Sequence, residues 1–259
     1  MCPIEDAAFY HGTDGLGDAN LPDKMDQVNV LEGPAAMHLV RLAKEHAGEL
    51  TVIALGPLTN LAVAIALDDD FADNVKEFVW MGACLAGPGN VTPTAEFNAY
   101  ADPDALQVCL RHCTMTWASW ELCKENVIHF DEWDAITGSS ENPVAKFLHT
   151  VTELFRKRRE DQSNVNLNIG EVICDPIAIV TAFGEVQFST INQNVSVATD
   201  SGPMRGTTTG DMRIFELVKA HPTLREQHIV KYIVPERYEN YANLLKEAIT
   251  SFGSDATHS

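Results

Sequence analysis

The densest group of side chains that could bind a polar ligand lies in a loop directly after a predicted strand. After the strand that ends at Met81, Asn90, Glu96 and Asn98 fall on a loop rich in glycine and proline. Two amides and a carboxylate supply the donors and acceptors that bind a polyhydroxylated ring such as a sugar. Chemistry alone leaves a second interpretation open, in which both asparagines are ordinary turn residues and Glu96 is solvated.

Smaller groups of this kind lie elsewhere in the chain. Leu55 ends an apolar strand before a Gly-Pro pair, so its backbone carbonyl could face a crevice, although a plain strand-to-helix turn has the same pattern. Cys174 and Asp175 stand at the start of a later helix, where the alternatives are a core thiol and a helix N-cap. His11 opens a glycine-rich stretch, 11–18, that predicts a loop.

The spacing of apolar residues predicts the elements that position these groups. Strands are predicted at 50–55, 78–81, 114–118, 195–198 and 212–217, and helices at 34–46, 58–67, 103–112, 144–155, 175–183 and 238–248. The early strands are apolar throughout, as expected when helices cover both faces of a sheet. We therefore predict an α/β fold with a mainly parallel sheet flanked by helices, in one domain over 1–259 with a frayed tail at 253–259.

Composition excludes some classes of partner. Lys plus Arg total 18 against 37 Asp plus Glu, a net charge of −19, so a nucleic-acid backbone would be repelled. No apolar run is long enough for a membrane span, and no secretory leader is recognisable. Cys109 and Cys113 flank His112, but no second ligand pair follows, so we expect buried free thiols rather than zinc ligands. Six cysteines without a C-x-x-C pair suit the cytoplasm.

Several sequence blocks resemble the nucleoside hydrolase family in their order and spacing. The blocks are HGTDGLGD at 11–18, ALGPLTNLA at 54–62, WMGACLAGPGNVTPTAEFNAYADPDA at 80–105, CDP at 174–176 and RG at 205–206. The most specific part is the N-V-T-P-x-A-E-F-N run that follows a strand and a Met-Gly turn. The resemblance extends over nearly the whole chain and implies the Rossmann-like core of that family.

The resemblance also implies an activity and a set of ligands. Nucleoside hydrolases split the N-glycosidic bond of ribonucleosides with water in purine and pyrimidine salvage, and they hold one calcium ion. Carried over to this sequence, Asn90, Glu96 and Asn98 bind the ribose hydroxyls. Leu55 offers its backbone carbonyl to calcium, and Asp175 its carboxylate. Both are hard oxygen ligands of the kind that calcium prefers.

Two further residues receive roles only through the resemblance. His11 matches the histidine of the family's H-G-x-x-G-L loop near the active site. Cys174 takes the place of a histidine that helps the leaving base in the best-known members, so protonation by that route stays unassigned. The implied partner is a small ribonucleoside, and relatives that resemble this chain are usually dimers or tetramers, so a homo-oligomer is possible.

One family motif is not in this sequence. The calcium loop D-x-D-x-G-x-D-D supplies the main metal carboxylates and the water-activating base, and the sequence contains no such run. We therefore expect an N-terminally truncated domain without the first strands, an incomplete calcium site, and little or no hydrolysis by this chain alone. The alternatives are a catalytically inactive short isoform that binds nucleosides or regulates, and an unrelated α/β sugar-binding protein.

Overall fold

The computed structural model describes residues 6–19, 21, 29–138, 141–160, 170–211 and 228–254. Helices and strands alternate through most of this part of the chain. In chain order the elements are α1 Ala8–His11, α2 Ala35–Glu45, β1 Thr51–Ala54, α3 Thr59–Leu67, α4 Phe71–Asn74, β2 Glu77–Met81, α5 Phe97–Ala101, α6 Pro103–His112, β3 Met115–Ala118, α7 Trp120–Glu125, β4 Ile128–His129, α8 Phe130–Thr137, α9 Pro143–Glu160, β5 Gly170–Glu171, α10 Asp175–Ala182, β6 Thr190–Val197, β7 Thr208–Gly210, β8 His228–Ile233 and α11 Tyr241–Ser254.

Six strands form the central sheet in the order β1-β2-β3-β8-β6-β7. The first four run parallel, with Ala54 opposite Trp80 and Met81 opposite Ala118. Strand β6 pairs antiparallel with β8, and β7 pairs antiparallel with β6 at the edge of the sheet. Strands β4 and β5 form a separate antiparallel ribbon. The predicted α/β fold with a mainly parallel sheet is confirmed. Because β1, β2 and β3 are parallel neighbours, their carboxyl ends meet at one edge.

Two hydrophobic cores lie on opposite faces of this sheet. Along β2, Phe78 and Trp80 enter one core while Val79 and Met81 enter the other. The first core is covered by α2, α3 and α6, and the second by α7, α8, α10 and α11. Trp80 also makes an edge-to-face contact with Trp117 of β3, with ring centroids 5.2 Å apart. The continuous apolar run of β2 is thus explained by burial of both faces.

Most predicted elements are confirmed within a few residues. The strands predicted at 50–55, 78–81 and 114–118 are β1, β2 and β3, and the six predicted helices are α2, α3, α6, α9, α10 and α11. The strand predicted at 195–198 is the end of the longer β6, and the one predicted at 212–217 lies outside the described residues. Strands β4, β5, β7 and β8 were not predicted. The first three have only two or three residues each, whereas β8 has an apolar run, HIVKYI, that sequence reasoning missed.

Two local predictions need correction. His11 is not a loop residue but the last residue of the one-turn helix α1, which Gly12 ends with a φ of 82°. Asp175 is not an N-cap, because the cap position is Cys174 and Asp175 lies inside the first turn of α10. Residues 253 and 254 belong to α11 and 255–259 lie outside the described residues, so the frayed tail at 253–259 stays a prediction. None of the helices in the described part of the chain combines the length and apolarity needed to cross a bilayer.

Candidate active site

The carboxyl ends of β1 and β2 bring two of the predicted groups together. Ala54, the last residue of β1, lies opposite Trp80, and Leu55 and Met81 follow directly after these two residues. Helix α10, which begins at Asp175, packs against both strands. The β1 turn, the β2 loop and the start of α10 therefore belong to one region of the molecule.

Glu96 is the most deeply buried charged residue of this region, with 2% of its surface exposed. Its carboxylate caps α5, where Oε1 accepts from the backbone N–H of Asn98 at 2.9 Å and Oε2 from those of Ala83 at 2.9 Å and Ala99 at 3.1 Å. A carboxylate has about four lone-pair positions, so one position on Oε1 is left for a ligand. The interpretation of Glu96 as a solvated residue is wrong.

Burial changes the acid–base behaviour of Glu96. Desolvation raises the pKa of its carboxyl to about 7, against the opposing effect of its backbone N–H donors, and repulsion from Asp175 adds to the rise. The two carboxylates are thus close enough to influence each other. Near neutral pH Glu96 exists in both protonation states, as a hydrogen-bond acceptor when ionised and as a donor when protonated.

Each of the two asparagines uses one of its two side-chain amide groups in a hydrogen bond within the protein. Asn98 donates from Nδ2 to the backbone oxygen of Met81 at 3.0 Å, and no donor from the described residues reaches its Oδ1. Asn90 accepts at Oδ1 from the backbone N–H of Phe97 at 2.8 Å, the local bond of a turn residue. Its Nδ2 has no partner within the described part of the chain. One acceptor and one donor are therefore left for a ligand.

The turn after β1 is braced from both sides. The indole Nε1 of Trp80 donates to the backbone oxygen of Gly56 at 3.0 Å, and the hydroxyl of Thr59 donates to Asp102 at 2.5 Å. These bonds tie the turn that follows Leu55 to β2 and to the start of α6. The role of the Leu55 carbonyl as a metal ligand stays a prediction.

Cys174 and Asp175 form the third predicted group, at the start of α10. Asp175 is solvent-accessible, yet partial desolvation still raises the pKa of its carboxyl. The half-buried thiol of Cys174 contacts that of Cys123, whose pKa lies well above its usual value through desolvation first and then through Cys174, Glu96 and Asp175. Two thiols and two carboxylates therefore share one neighbourhood.

His11 ends helix α1. Helix α1 contacts α9, and Gly17, which follows in the same segment, has no room for a Cβ because it lies against the backbone of Val151. Burial lowers the pKa of the His11 imidazole, which favours its neutral form. The described contacts tie this segment to α9, so a catalytic role for His11 stays a prediction.

The described residues do not form a calcium site by themselves. Among them no three His, Cys, Asp or Glu side chains are grouped as metal ligands. The Asp175 carboxylate and the Leu55 carbonyl are hard oxygens of the right chemistry, but calcium takes six to eight. No reaction step is therefore assigned to the ion.

Sequence reasoning missed several residues that shape the loop after β2. Ala83 has a left-handed φ of 69°, and its neighbours are held by Glu121 of α7 and Thr208 of β7. Glu121 stands shortly after the carboxyl end of β3, so the rule that selected the other groups also applies to it. Thr208 had no local signal, because its contact with Cys84 joins residues 124 positions apart.

The comparisons with known proteins agree on one family. The chain matches the family model described as inosine-uridine preferring nucleoside hydrolase over residues 1–238. It is 33% identical to the probable uridine nucleosidase 2 of Arabidopsis thaliana over 203 residues, which make up 78% of this chain and 61% of that protein. The rice protein of the same name is matched over 60% of its length. The chain thus spans about three fifths of these curated relatives.

Two solved structures share the fold across nearly the whole chain. A plant nucleoside hydrolase superposes with a TM-score of 0.84 at 28% identity, covering 95% of this chain and 76% of that one. A purine-preferring ribonucleoside hydrolase from Gardnerella vaginalis gives 0.77 at 25% identity, with 95% and 74% covered. The likeness therefore extends well beyond the 80–105 block.

Proposed function

Because this chain belongs to the inosine-uridine preferring nucleoside hydrolase family, as its motifs predicted, we propose that it acts on ribonucleosides and hydrolyses their N-glycosidic bond to ribose and a free base. The observation that carries the proposal is the buried Glu96 carboxylate, held on one loop with Asn90 and Asn98 and influenced by the charge of Asp175. A purely structural N-cap would not need two partly unsatisfied amides beside it.

The ribose hydroxyls would bind to the atoms that the protein leaves unsatisfied. These atoms are the remaining lone pair of Glu96 Oε1, the Oδ1 of Asn98 and the Nδ2 of Asn90. They offer acceptors and a donor in the combination that a vicinal diol requires. Because each group is fixed by a backbone partner, little rotational freedom is lost when ribose binds.

Departure of the base leaves positive charge on the ribose ring. The carboxylates of Glu96 and Asp175 lie in the same neighbourhood and would stabilise an oxocarbenium-like ring electrostatically. Hydrogen bonds to the ring hydroxyls that strengthen in the transition state would add to this effect. Cys174 precedes Asp175 at the start of α10, but a thiol is a weak donor, so no proton transfer is assigned to it.

Binding and turnover test the proposal separately. Calorimetric titrations with inosine, uridine and free ribose should show binding of both ribonucleosides. Ribose release from both ribonucleosides should be detected with calcium and lost with a chelator, because calcium is the ion that the resemblance to the family implies. Binding of free sugars without ribonucleosides would contradict the proposal and favour an unrelated sugar-binding protein. Hydrolysis that survives the chelator would overturn the mechanism.

We also propose a cytoplasmic, oligomeric state. The described cysteines are all free thiols, which suits a reducing compartment. Phe183 and Phe252 expose 73% and 77% of their surface, as expected for residues that contact another subunit. Size-exclusion chromatography with light scattering measures the mass, and a strictly monomeric mass at all concentrations would contradict the oligomer.

A further inference from the structure

Ala83 has an unusual backbone conformation for a residue with a side chain. It is fully buried and has a φ of 69°, in the left-handed region that favours glycine. The preceding Gly82 has no room for a Cβ, which would overlap the indole of Trp80. A residue with a side chain stays in this region only when its surroundings impose it.

The conformation of Ala83 aims its N–H at the proposed ribose ligand. This N–H donates to Glu96 Oε2 at 2.9 Å, and the Ala83 carbonyl accepts from the N–H of Trp120 at 3.0 Å. If Ala83 relaxed to an extended or helical conformation, its N–H would turn away and Glu96 would lose one of three donors. The orientation of the carboxylate therefore depends on what holds Ala83.

Thr208 holds the next residue by both of its backbone polar groups. The Thr208 hydroxyl accepts from the N–H of Cys84 at 3.0 Å and donates to the Cys84 carbonyl at 2.8 Å. Only 2% of Thr208 is exposed, so water does not replace these bonds. The adjacent Thr207 hydroxyl bonds to that of Thr94 at 2.7 Å, further along the same loop.

Glu121 holds the other side of the turn. Its Oε1 accepts from the N–H of Ala86 at 2.7 Å and of Gly87 at 3.0 Å. Glu121 is itself buried, with 8% of its surface exposed. The turn of residues 83–87 is thus fixed by Thr208 from β7 and Glu121 from α7, while Ala83, its first residue, bonds to Glu96.

We propose that Thr208 is a positioning residue for the ribose site, because its hydroxyl fixes Cys84 and thereby keeps Ala83 left-handed with its N–H on Glu96. Glu121 is the second anchor of the same turn. The inference rests on the proposed function in one respect, namely that Glu96 binds ribose.

Two substitutions at Thr208 separate hydrogen bonding from packing. Thr208→Val keeps the shape and removes the hydroxyl, whereas Thr208→Ser keeps the hydroxyl and removes the methyl group. We expect Thr208→Val to weaken ribonucleoside binding about tenfold and to shift the Ala83 amide resonance, with faster hydrogen exchange at that amide. Thr208→Ser should stay close to wild type. Thr209→Val, at an exposed position of the same strand, is the matched control.

Replacing Ala83 itself gives an independent measurement. Glycine adopts the left-handed region without a Cβ penalty, so Ala83→Gly should restore part of the binding lost in Thr208→Val when the two are combined. If Thr208→Val alone does not fold, the comparison uses the double variant, in which Ala83→Gly removes the Cβ penalty of the left-handed conformation. Simple additivity of the two substitutions would contradict the proposal.

The outcomes are distinguishable from failure of the proposed function. If wild type binds no ribonucleoside, the proposed function fails, and the Ala83 amide still decides whether Thr208 holds the turn. An unchanged Ala83 amide in Thr208→Val, or an equal loss in Thr208→Ser and Thr208→Val, would overturn the proposal. A selective loss in Thr208→Val on both measurements would support it.

Discussion

The candidate site has a ribose side, formed by Asn90, Glu96 and Asn98, and an ion side, formed by Leu55 and Asp175. The two sides are built differently. On the ribose side, Glu96 accepts three backbone N–H bonds and the loop before it is anchored by two buried side chains. On the ion side, Asp175 is exposed, and no hydrogen bond from the described residues reaches its carboxylate. This difference shows that hydrogen bonds within the described residues already position the ribose-binding groups. Metal binding needs more oxygen ligands than the described residues bring together.

Neutralising Glu96 should have the largest effect on binding. Glu96→Gln keeps the size of the side chain but faces an amide N–H toward backbone donors that need an acceptor. We expect ribonucleoside affinity to fall roughly 100-fold, measured by calorimetry at pH 8. Glu49→Gln, at an exposed position, is the control. An effect of less than threefold would remove the distinction between the two sides.

The pH dependence of stability should report the burial of Glu96. Its pKa is raised to about 7, so between pH 4.5 and 7 the folded protein keeps a proton that the unfolded chain releases. The contribution of protonated Glu96 to the free energy of unfolding is therefore fully present below pH 4.5 and is lost as the pH rises to 7, by an amount on the order of 3 kcal/mol.

Urea unfolding across this range, for wild type and Glu96→Gln, isolates the contribution because glutamine does not titrate. The wild type should lose stability relative to the variant as the pH increases. A constant difference, or one of the opposite sign, would show that Glu96 is solvated and that the ribose side is less ordered than the contacts indicate.

Neutralising the ion side should change little. Asp175→Asn removes a charge that accepts no described hydrogen bond and whose ionised form is already disfavoured by desolvation. We expect the free energy of unfolding to change by less than about 0.5 kcal/mol, and ribonucleoside affinity without calcium to stay within about twofold. A loss as large as that of Glu96→Gln would mean that both carboxylates bind ribose directly.

Added calcium should have the smallest effect. Weak binding stabilises the folded state only slightly, so millimolar calcium should raise Tm by less than about 1 °C, with magnesium as the control. A shift of several degrees that is reversed by a chelator and abolished in Asp175→Asn would show that the chain completes its own metal site. That result would contradict the separation of the two sides.

The strands and the edge where the site lies follow from short-range patterns. Apolar runs such as the one ending at Met81 predicted buried parallel strands, and polar residues just after them marked the region of Glu96 and Asp175. The burial of Glu96 could not be predicted, because a glutamate after a strand is usually solvated. Its partner Ala83 became a donor only through a conformation that β7 and α7 impose.

Contacts between residues that are far apart in the sequence could not be predicted either. Strand β8 lies between β3 and β6, and no local pattern states which strand it pairs with. For the same reason Thr208 was not recognised as a neighbour of Cys84. The position of Asp175 inside the helix rather than at its cap depended on the backbone of a single residue, Cys174.

The bond between Thr208 and Cys84 also has a consequence for the order of folding. It closes a loop of 124 residues, so forming it costs more chain entropy than the local pairing of β1 with β2. We expect the parallel strands to form before β7 docks, and Ala83 to gain its conformation only in the last step. Pulsed hydrogen exchange during refolding would detect this as late protection of the Ala83 amide, and protection simultaneous with β2 would contradict it. The ribose side, the more rigid one in the finished protein, would then be the last to become rigid.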